Sequence, residues 1–379
     1  MIYLNNAATS YPKPQNVIDA VLENINDIPF HCARAGLETQ VEDIQWLCRK
    51  NIAALFNITN PHNIIFTSGA TESLNLAING LDLKGKHVIT TNSEHNSVIR
   101  PIKRLEREGT ISLSFVPCDG NGIVDIEALE KLINFNTALI AVNHCSNVTG
   151  NVNDITTLSN ICKTRNIVFL VDASQSAGII PIDLQKSPAD LLAFTGHKSL
   201  YGIPGIGGLY IRDGLDLHPL KVGGTGIKSD LLFQPENRPF YYEAGTPNIP
   251  GIVSLNAGVK FILETGLDVL YKKGYDTMKY LFEKCQKIRG IIFYGDYHAS
   301  SRCPIMSFNI KGIAPEDVGY ILENSFKVIV RTGLHCAPLI HKSLGSFPLG
   351  SVRVSLSYFT NEEELDFFSN SLEQIANMA

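Results

Sequence analysis

The chain has 379 residues, enough for two domains, and is 44% hydrophobic but only 18% charged, a balance that suits a large core with little surface left to cover. Its 32 basic and 37 acidic residues give a net charge of −5 with no Lys/Arg-rich run, which argues against a nucleic-acid partner. No apolar stretch approaches the ~18 residues that span a bilayer; the opening MIYLNNAATSYPKP lacks the layout of a signal peptide; and the eight cysteines include no Cys-x-x-Cys pair, so a reducing cytoplasm and free thiols are expected.

In chain order, Val17, Ile18, Val21, Leu22 and Ile25 form a helical stripe. NIIF (63–66) reads as a buried strand. It ends in TSGATES, after which Leu74, Ala77, Ile78 and Leu81 resume helical spacing. The rhythm then repeats. HVITT precedes a helix near Val98, Ile102 and Leu105; LSFVP precedes one with Ile126, Leu129 and Leu132; ALIAV precedes one with Ile155, Leu158, Ile161 and Cys162; IVFLV runs into DASQS. Strands apolar on both faces that alternate with helices predict a mostly parallel sheet covered by helices on both sides, an α/β fold. LLAF (191–194) and the run Gly207 to Ile211 add two more strands.

After about residue 250, where GTPNIPG supplies turn residues, the pattern changes. A long helical stretch (251–289) is followed by the short strands IIFYG, IMSFNI, KVIVRT and VRVSLSY, with helices at 315–326 and 361–377. The last is expected to open on a capping box from Thr360 to Glu363. The expected division is a large domain over 15–250 and a smaller α+β domain from 1–14 and 251–379.

Ligands of open parallel sheets bind beyond the carboxyl ends of the strands. Those ends carry the loop Ser68-Gly69-Ala70-Thr71, then Glu94 and His95, then Asn143, His144 and Asn147, then Asp172, then Thr195, His197 and Lys198. Singly, each has an ordinary structural reading as a cap or a satisfied polar side chain. GHKS lacks the earlier glycine of a nucleotide loop, and GIPGIGG has neither the spacing nor the following helix of a dinucleotide fingerprint. Taken together they provide a helix N-terminus suited to a phosphate, a buried acid, an imidazole and a lysine between two apolar strands. That inventory fits pyridoxal 5′-phosphate, which needs a lysine for covalent attachment and an acid opposite its ring nitrogen. A lysine in an apolar cleft near other positive charge has a lowered pKa and can act as nucleophile and base.

The motifs SGATES, EHNS, VDASQSAG, TGHKSLYGIPGIG, EAGTPN and RTGLHCA, in this order and spacing, resemble those of class V, fold-type I pyridoxal-phosphate enzymes, and most of all the cysteine desulfurases with an Arg-x-Gly-x-His-Cys-Ala loop. The resemblance runs essentially end to end. It implies that Lys198 holds the cofactor, Asp172 pairs with its ring nitrogen, Gln175 touches its ring hydroxyl and His95 stacks on its face. Ala70, Thr71, Thr195 and His197 would hold the phosphate, Thr246 would reach in from the second subunit of a homodimer, and Asn147 and Arg353 would bind the substrate carboxylate. Arg353 sits among Val352, Val354 and Leu356 on a short strand, and its planar fork suits a carboxylate.

Cys336 would be the sulfur acceptor, with His335 or Arg331 supplying positive charge, and the sulfur would pass on to an acceptor protein or a thiol reductant. Three positions depart from the family pattern: Asn5 for the commoner Asp, Thr195 for Ser, and Asn96 where several relatives have a second His. The implied activity is conversion of L-cysteine to L-alanine. A selenocysteine lyase shares nearly every residue, and an aminotransferase or β-lyase needs no cysteine at 336; a binding module without catalysis would not need Lys198 and Asp172. The dipeptides His31-Cys32, His144-Cys145 and His335-Cys336 lack metal-ligand spacing, and strand neighbours point apart, so no metal site is expected.

Overall fold

The computed structural model describes residues 1–26 and 43–378; the dipeptide His31-Cys32 lies outside them. A short strand Ile2–Tyr3 (β1) leads to helix Gln15–Asn26 (α1). The first layered unit follows: Ile44–Phe56 (α2), Ile64–Thr67 (β2), Ala70–Gly80 (α3), Lys86–Thr91 (β3), Asn96–Arg107 (α4), Ile111–Val116 (β4), Ile126–Leu132 (α5), Thr137–Asn143 (β5), Ile155–Thr164 (α6), Val168–Asp172 (β6), Leu191–Thr195 (β7) and Gly207–Ile211 (β8).

These strands form a seven-stranded sheet of order β2-β8-β7-β6-β5-β3-β4. All its pairings are parallel except those of β8, which runs antiparallel to both β2 and β7. The period-two alternation of a strand divides its side chains between two cores. Ile140, Val142, Phe169, Val171, Leu192 and Phe194 face the layer of α2 and α6. Leu139, Ala141, Leu170, Leu191 and Ala193 face that of α3 and α4. Burial on both faces explains why these strands read as unbroken apolar runs.

The long helical stretch after 250 is two helices, Ile249–Thr265 (α7) and Leu267–Cys285 (α8). Gly266, at φ +91°, ends one and begins the next, a conformation that a Cβ would strain. α7 packs on α1 and α2 and contributes Ile249, Ile252, Leu255 and Val259 to the first core. At Gly258 the helix passes so close to the 200–201 backbone that an added Cβ would lie 2.1 Å from the Leu200 carbonyl oxygen. The loop carrying Lys198 is thereby pressed against α7.

The remaining elements are Ile291–Tyr294 (β9), Ile305–Ile310 (β10), Pro315–Phe326 (α9), Val328–Ile329 (β11), Arg331–Gly333 (β12), Pro338–Ser343 (α10), Ser351–Ser355 (β13) and Glu362–Ala376 (α11). β12-β13-β10-β9 form an antiparallel sheet, and β1 pairs in parallel with β11. Its core gathers Leu4, Met278, Leu281, Phe308, Leu322, Val354 and Phe368.

Two sequence expectations are corrected in detail. KVIVRT is not one strand: Val328 and Ile329 pair with β1, whereas Arg331 to Gly333 pair with β13. The capping box is Asn361 with Glu364, because the Thr360 hydroxyl is already engaged by the Ser357 backbone N–H at 3.0 Å. No helix among the described residues is long and apolar enough to cross a membrane.

Candidate active site

The carboxyl ends of the central strands stand in register: Asn143 beside Asp172, and Asp172 beside Ala193, two residues before Thr195. Beyond them lies a cavity of about 220 Å³. Its wall includes Ala70, Thr71, His95, Asn147, Asp172, Gln175, Thr195, His197 and Lys198, drawn from five separate strand-end loops. Ser97, Ser174 and Cys145 line it too, and sequence reasoning had not singled them out as site residues. Ser97 lay within the EHNS motif and could have been found there.

One end of the cavity suits a phosphate. α3 begins at Gly69, and no side chain caps its first turn, so its free N–H groups and positive dipole end remain for a ligand. Thr71 is tied through its hydroxyl to Ser97 Oγ at 2.9 Å. Opposite stands His197, whose buried Nδ1 has no hydrogen-bond partner.

The lysine loop is held from outside the sheet. The His197 carbonyl oxygen accepts from Ser10 N (3.0 Å), Thr9 Oγ1 (3.1 Å), Ser10 Oγ (3.2 Å) and Lys13 Nζ (3.1 Å). Four donors on the carbonyl next to Lys198 leave that loop little freedom. Burial, reinforced by the charges of Arg353 and Arg331, lowers the Lys198 pKa to about 8 against the opposing pull of Asp172 and Cys336. His95 is lowered to about 4 by burial and by the Lys198 charge, so its ring is neutral at pH 7. Its Nδ1 accepts from Ser97 N at 3.1 Å, which leaves the ring proton on Nε2. Asp172 accepts through Oδ1 from Ser174 N at 2.9 Å and from the Ser174 hydroxyl. Gln175 is fixed by its donation to the Ala7 carbonyl at 3.1 Å.

Arg353 and Cys336 belong to the second unit and approach from across the sheet edge. Arg353 is buried, donates to the Asn147 carbonyl at 2.8 Å, and has an Nε without a partner. Asn147 Nδ2 donates in turn to the His335 carbonyl at 2.7 Å. Asn96 N donates to the Cys336 carbonyl at 2.7 Å, which seats the thiol loop against the start of α4. Cys336 is exposed, and Arg331 Nη2 donates to its Sγ at 3.6 Å. Of the two cations considered for this thiol, His335 is ruled out. Its ring is buried against Ser351, and burial together with the nearby arginines holds its pKa well below the usual imidazole value.

Thr246 does not line the Lys198 cavity of its own chain. It lines a neighbouring one of about 790 Å³ that shares Ser68, Glu72 and Gly205 with the first. Its segment is pinned to β2 by Glu243, which accepts from Phe66 N at 2.6 Å and pairs with Arg49 at 2.5 Å.

The family model for Aminotransferase class-V matches residues 2–368. The chain belongs to that family. Among its relatives are the probable cysteine desulfurases of Pyrococcus abyssi, 35% identical over 99% of this chain and 94% of the relative, and of Methanothermobacter thermautotrophicus, 32% identical over 100% and 95%. The solved cysteine desulfurase of Thermococcus onnurineus NA1 superposes with a TM-score of 0.90 at 32% identity, covering 100% of this chain and 95% of that one. Class-V enzymes of this kind are pyridoxal-phosphate enzymes on a mixed central sheet with helices on both faces, the architecture described above.

The residues present fit that cofactor. The unpartnered His197 Nδ1 and the uncapped α3 terminus offer donors to a phosphate, and Asp172 and Lys198 stand on the same cavity wall.

Proposed function

We propose that the chain is a pyridoxal-phosphate-dependent cysteine desulfurase that converts L-cysteine to L-alanine and receives the sulfur on Cys336 as a persulfide. The observation that carries this reading is that Asn96, the neighbour of His95 on the cavity wall, holds the Cys336 carbonyl at 2.7 Å, so that the exposed thiol and the Arg331 guanidinium on it stand next to the cavity of Lys198 and Asp172. A transaminase has no use for an exposed thiol there.

Lys198 would bind the cofactor, with Asp172 at its ring nitrogen, Gln175 at its ring hydroxyl, His95 against its face, and Ala70, Thr71, Thr195 and His197 at its phosphate. When bound, the cofactor supplies an electron sink that acidifies the substrate α-carbon and loosens the Cβ–S bond. Lys198, with a pKa near 8, is about one-tenth neutral at pH 7, far more than an ordinary lysine, and can take the α-proton. His95 holds a transferable proton at Nε2. Arg353 has no carboxylate partner among the described residues and, with Asn147 beside it, is available to the substrate carboxylate. The Cys336 thiolate attacks the substrate sulfur: a Cys336 S–S bond forms, the substrate Cβ–S bond breaks, and its electron pair passes to the carbon that becomes the alanine methyl group after protonation.

Residues 15–250 would serve as the cofactor domain, with 1–14 and 251–379 supplying Asn5, Arg331, Cys336 and Arg353. Two chains would pair so that Thr246 of each completes the other's phosphate site; that Thr246 does not line the Lys198 cavity of its own chain is consistent with this. The described cysteines are free thiols, which supports a reducing, cytoplasmic setting. The persulfide would be discharged to an acceptor protein or a thiol reductant.

The test is product analysis with L-cysteine and L-selenocysteine side by side. Alanine from cysteine, with one added sulfur on the Cys336 peptide in the mass spectrum, is expected. Alanine from selenocysteine alone would make the chain a selenocysteine lyase.

A further inference from the structure

α4 begins at the thiol loop and runs away from it. Its buried face carries Val98, Ile99, Pro101 and Ile102, and its exposed face carries Arg100, Lys103, Arg104 and Arg107. These four side chains recur every three to four residues, so they form one stripe on the helix surface. The stripe opens at Asn96, whose backbone N–H holds the Cys336 carbonyl. At 1.5 Å per residue it extends ~16 Å from there.

The acids of the same helix cancel part of this charge. Lys103 pairs with Glu106, and Arg104 lies 4.0 Å from Glu108 and donates to Asn79 Oδ1 at 2.6 Å. Arg100 and Arg107 have no ion pair among the described residues. The net stripe is positive on a chain whose total charge is −5. α4 packs against the edge strand β4, at the end of the sheet opposite β2.

We infer that this stripe is the docking surface for an acidic protein segment that carries the sulfur-accepting thiol, an inference that rests on the persulfide reading above. The charge is placed where an acceptor must arrive, beside the exposed Cys336, and opposite charge raises encounter rates without needing a large interface. A nucleic acid is the weaker occupant: the stripe is short and has no aromatic side chain on which a base could stack. In the transfer step the acceptor thiolate attacks the outer sulfur of the Cys336 persulfide. A new S–S bond forms on the acceptor, the Cys336 S–S bond breaks, and its electron pair returns to Cys336 Sγ as thiolate. No external oxidant or reductant is required.

The test uses the holoenzyme, L-cysteine, and three single-cysteine peptides identical except for flanks of Asp/Glu, Ser/Gln or Lys/Arg. Sulfur transfer to each is followed by mass spectrometry between about 0.02 and 0.3 M salt. Expected is transfer to the acidic peptide about tenfold or more faster than to the neutral one at low salt, with the advantage fading as salt rises. The double variant Arg100→Glu/Arg107→Glu should abolish or reverse that order while keeping dithiothreitol-driven alanine release within about twofold of wild type. Equal rates for the three peptides, or an acidic preference that survives in the variant, would overturn the docking surface and leave the desulfurase reading standing. Absence of alanine with dithiothreitol in the wild type would overturn both.

Discussion

Arg331 Nη2 donates to Cys336 Sγ at 3.6 Å, while the neighbouring His335 ring turns inward to Ser351. The two residues that precede the thiol, by five positions and by one, thus have different duties: Arg331 faces the sulfur, and His335 anchors the loop. Hydrogen bonds to charged groups contribute roughly 1.5–3 kcal/mol, or about ten- to hundredfold in rate. Arg331→Gln should therefore slow alanine release by about that factor with the cofactor spectrum unchanged. A normal rate would show that the guanidinium is incidental to the sulfur chemistry.

Cys336→Ser should bind cofactor and L-cysteine as the wild type does and release little or no alanine from cysteine. Selenocysteine turnover should suffer less, since selenium leaves more readily. Steady-state alanine assays on both substrates check this. Wild-type turnover of cysteine by the serine variant would make Cys336 structural.

Asn5 Oδ1 lies 3.4 Å from Arg353 Nη2, so the buried arginine meets a neutral amide. Burial, and the Arg331 charge after it, lower the Arg353 pKa to about 9, so its charge is retained at neutrality and is open to an anion. Asn5→Asp would set a carboxylate in that position to compete with the substrate. The expected result is a KM for cysteine raised about tenfold with kcat changed far less, and an unchanged KM would remove Arg353 from the carboxylate site.

Glu94 is fully buried and accepts from Thr91 Oγ1 (2.6 Å) and Asn143 N (3.0 Å) through Oε1, with Oε2 unpartnered. Burial raises its pKa from 4.5 to about 8. Between those values the folded chain keeps a proton that the unfolded chain has lost. Stability should therefore fall as pH rises through this window, with a slope of at most about 1.4 kcal/mol per pH unit, and level off above it. Glu94→Gln mimics the protonated acid and should flatten this part of the Tm-against-pH curve. Parallel curves for the two proteins would show that Glu94 is ionised in the fold.

Much of this architecture is legible in local pattern. The apolar runs of β5, β6 and β7 announce a sheet covered on both faces, because a strand with no polar side has no face to give to water. The strand-end position of Asp172 and Lys198 follows from the same runs. Other features depend on neighbours that are distant in the chain. β8 is as apolar as its neighbours, and only its pairing with β2 and β7 makes it antiparallel. KVIVRT divides because β1, from the opposite end of the chain, claims its first half. The roles of Arg331 and His335 were open in the sequence, where both lie near Cys336; the fold buries the His335 ring beside Ser351 and sets the Arg331 guanidinium at the Cys336 sulfur. Periodicity is a property of consecutive residues and survives in the sequence. Burial, charge pairing and unmet hydrogen-bonding capacity are properties of the space around a side chain, so only the tertiary structure decided that Asn147, on the cavity wall of Lys198, joins Arg353 to the His335 carbonyl, and that Arg353 meets Asn5.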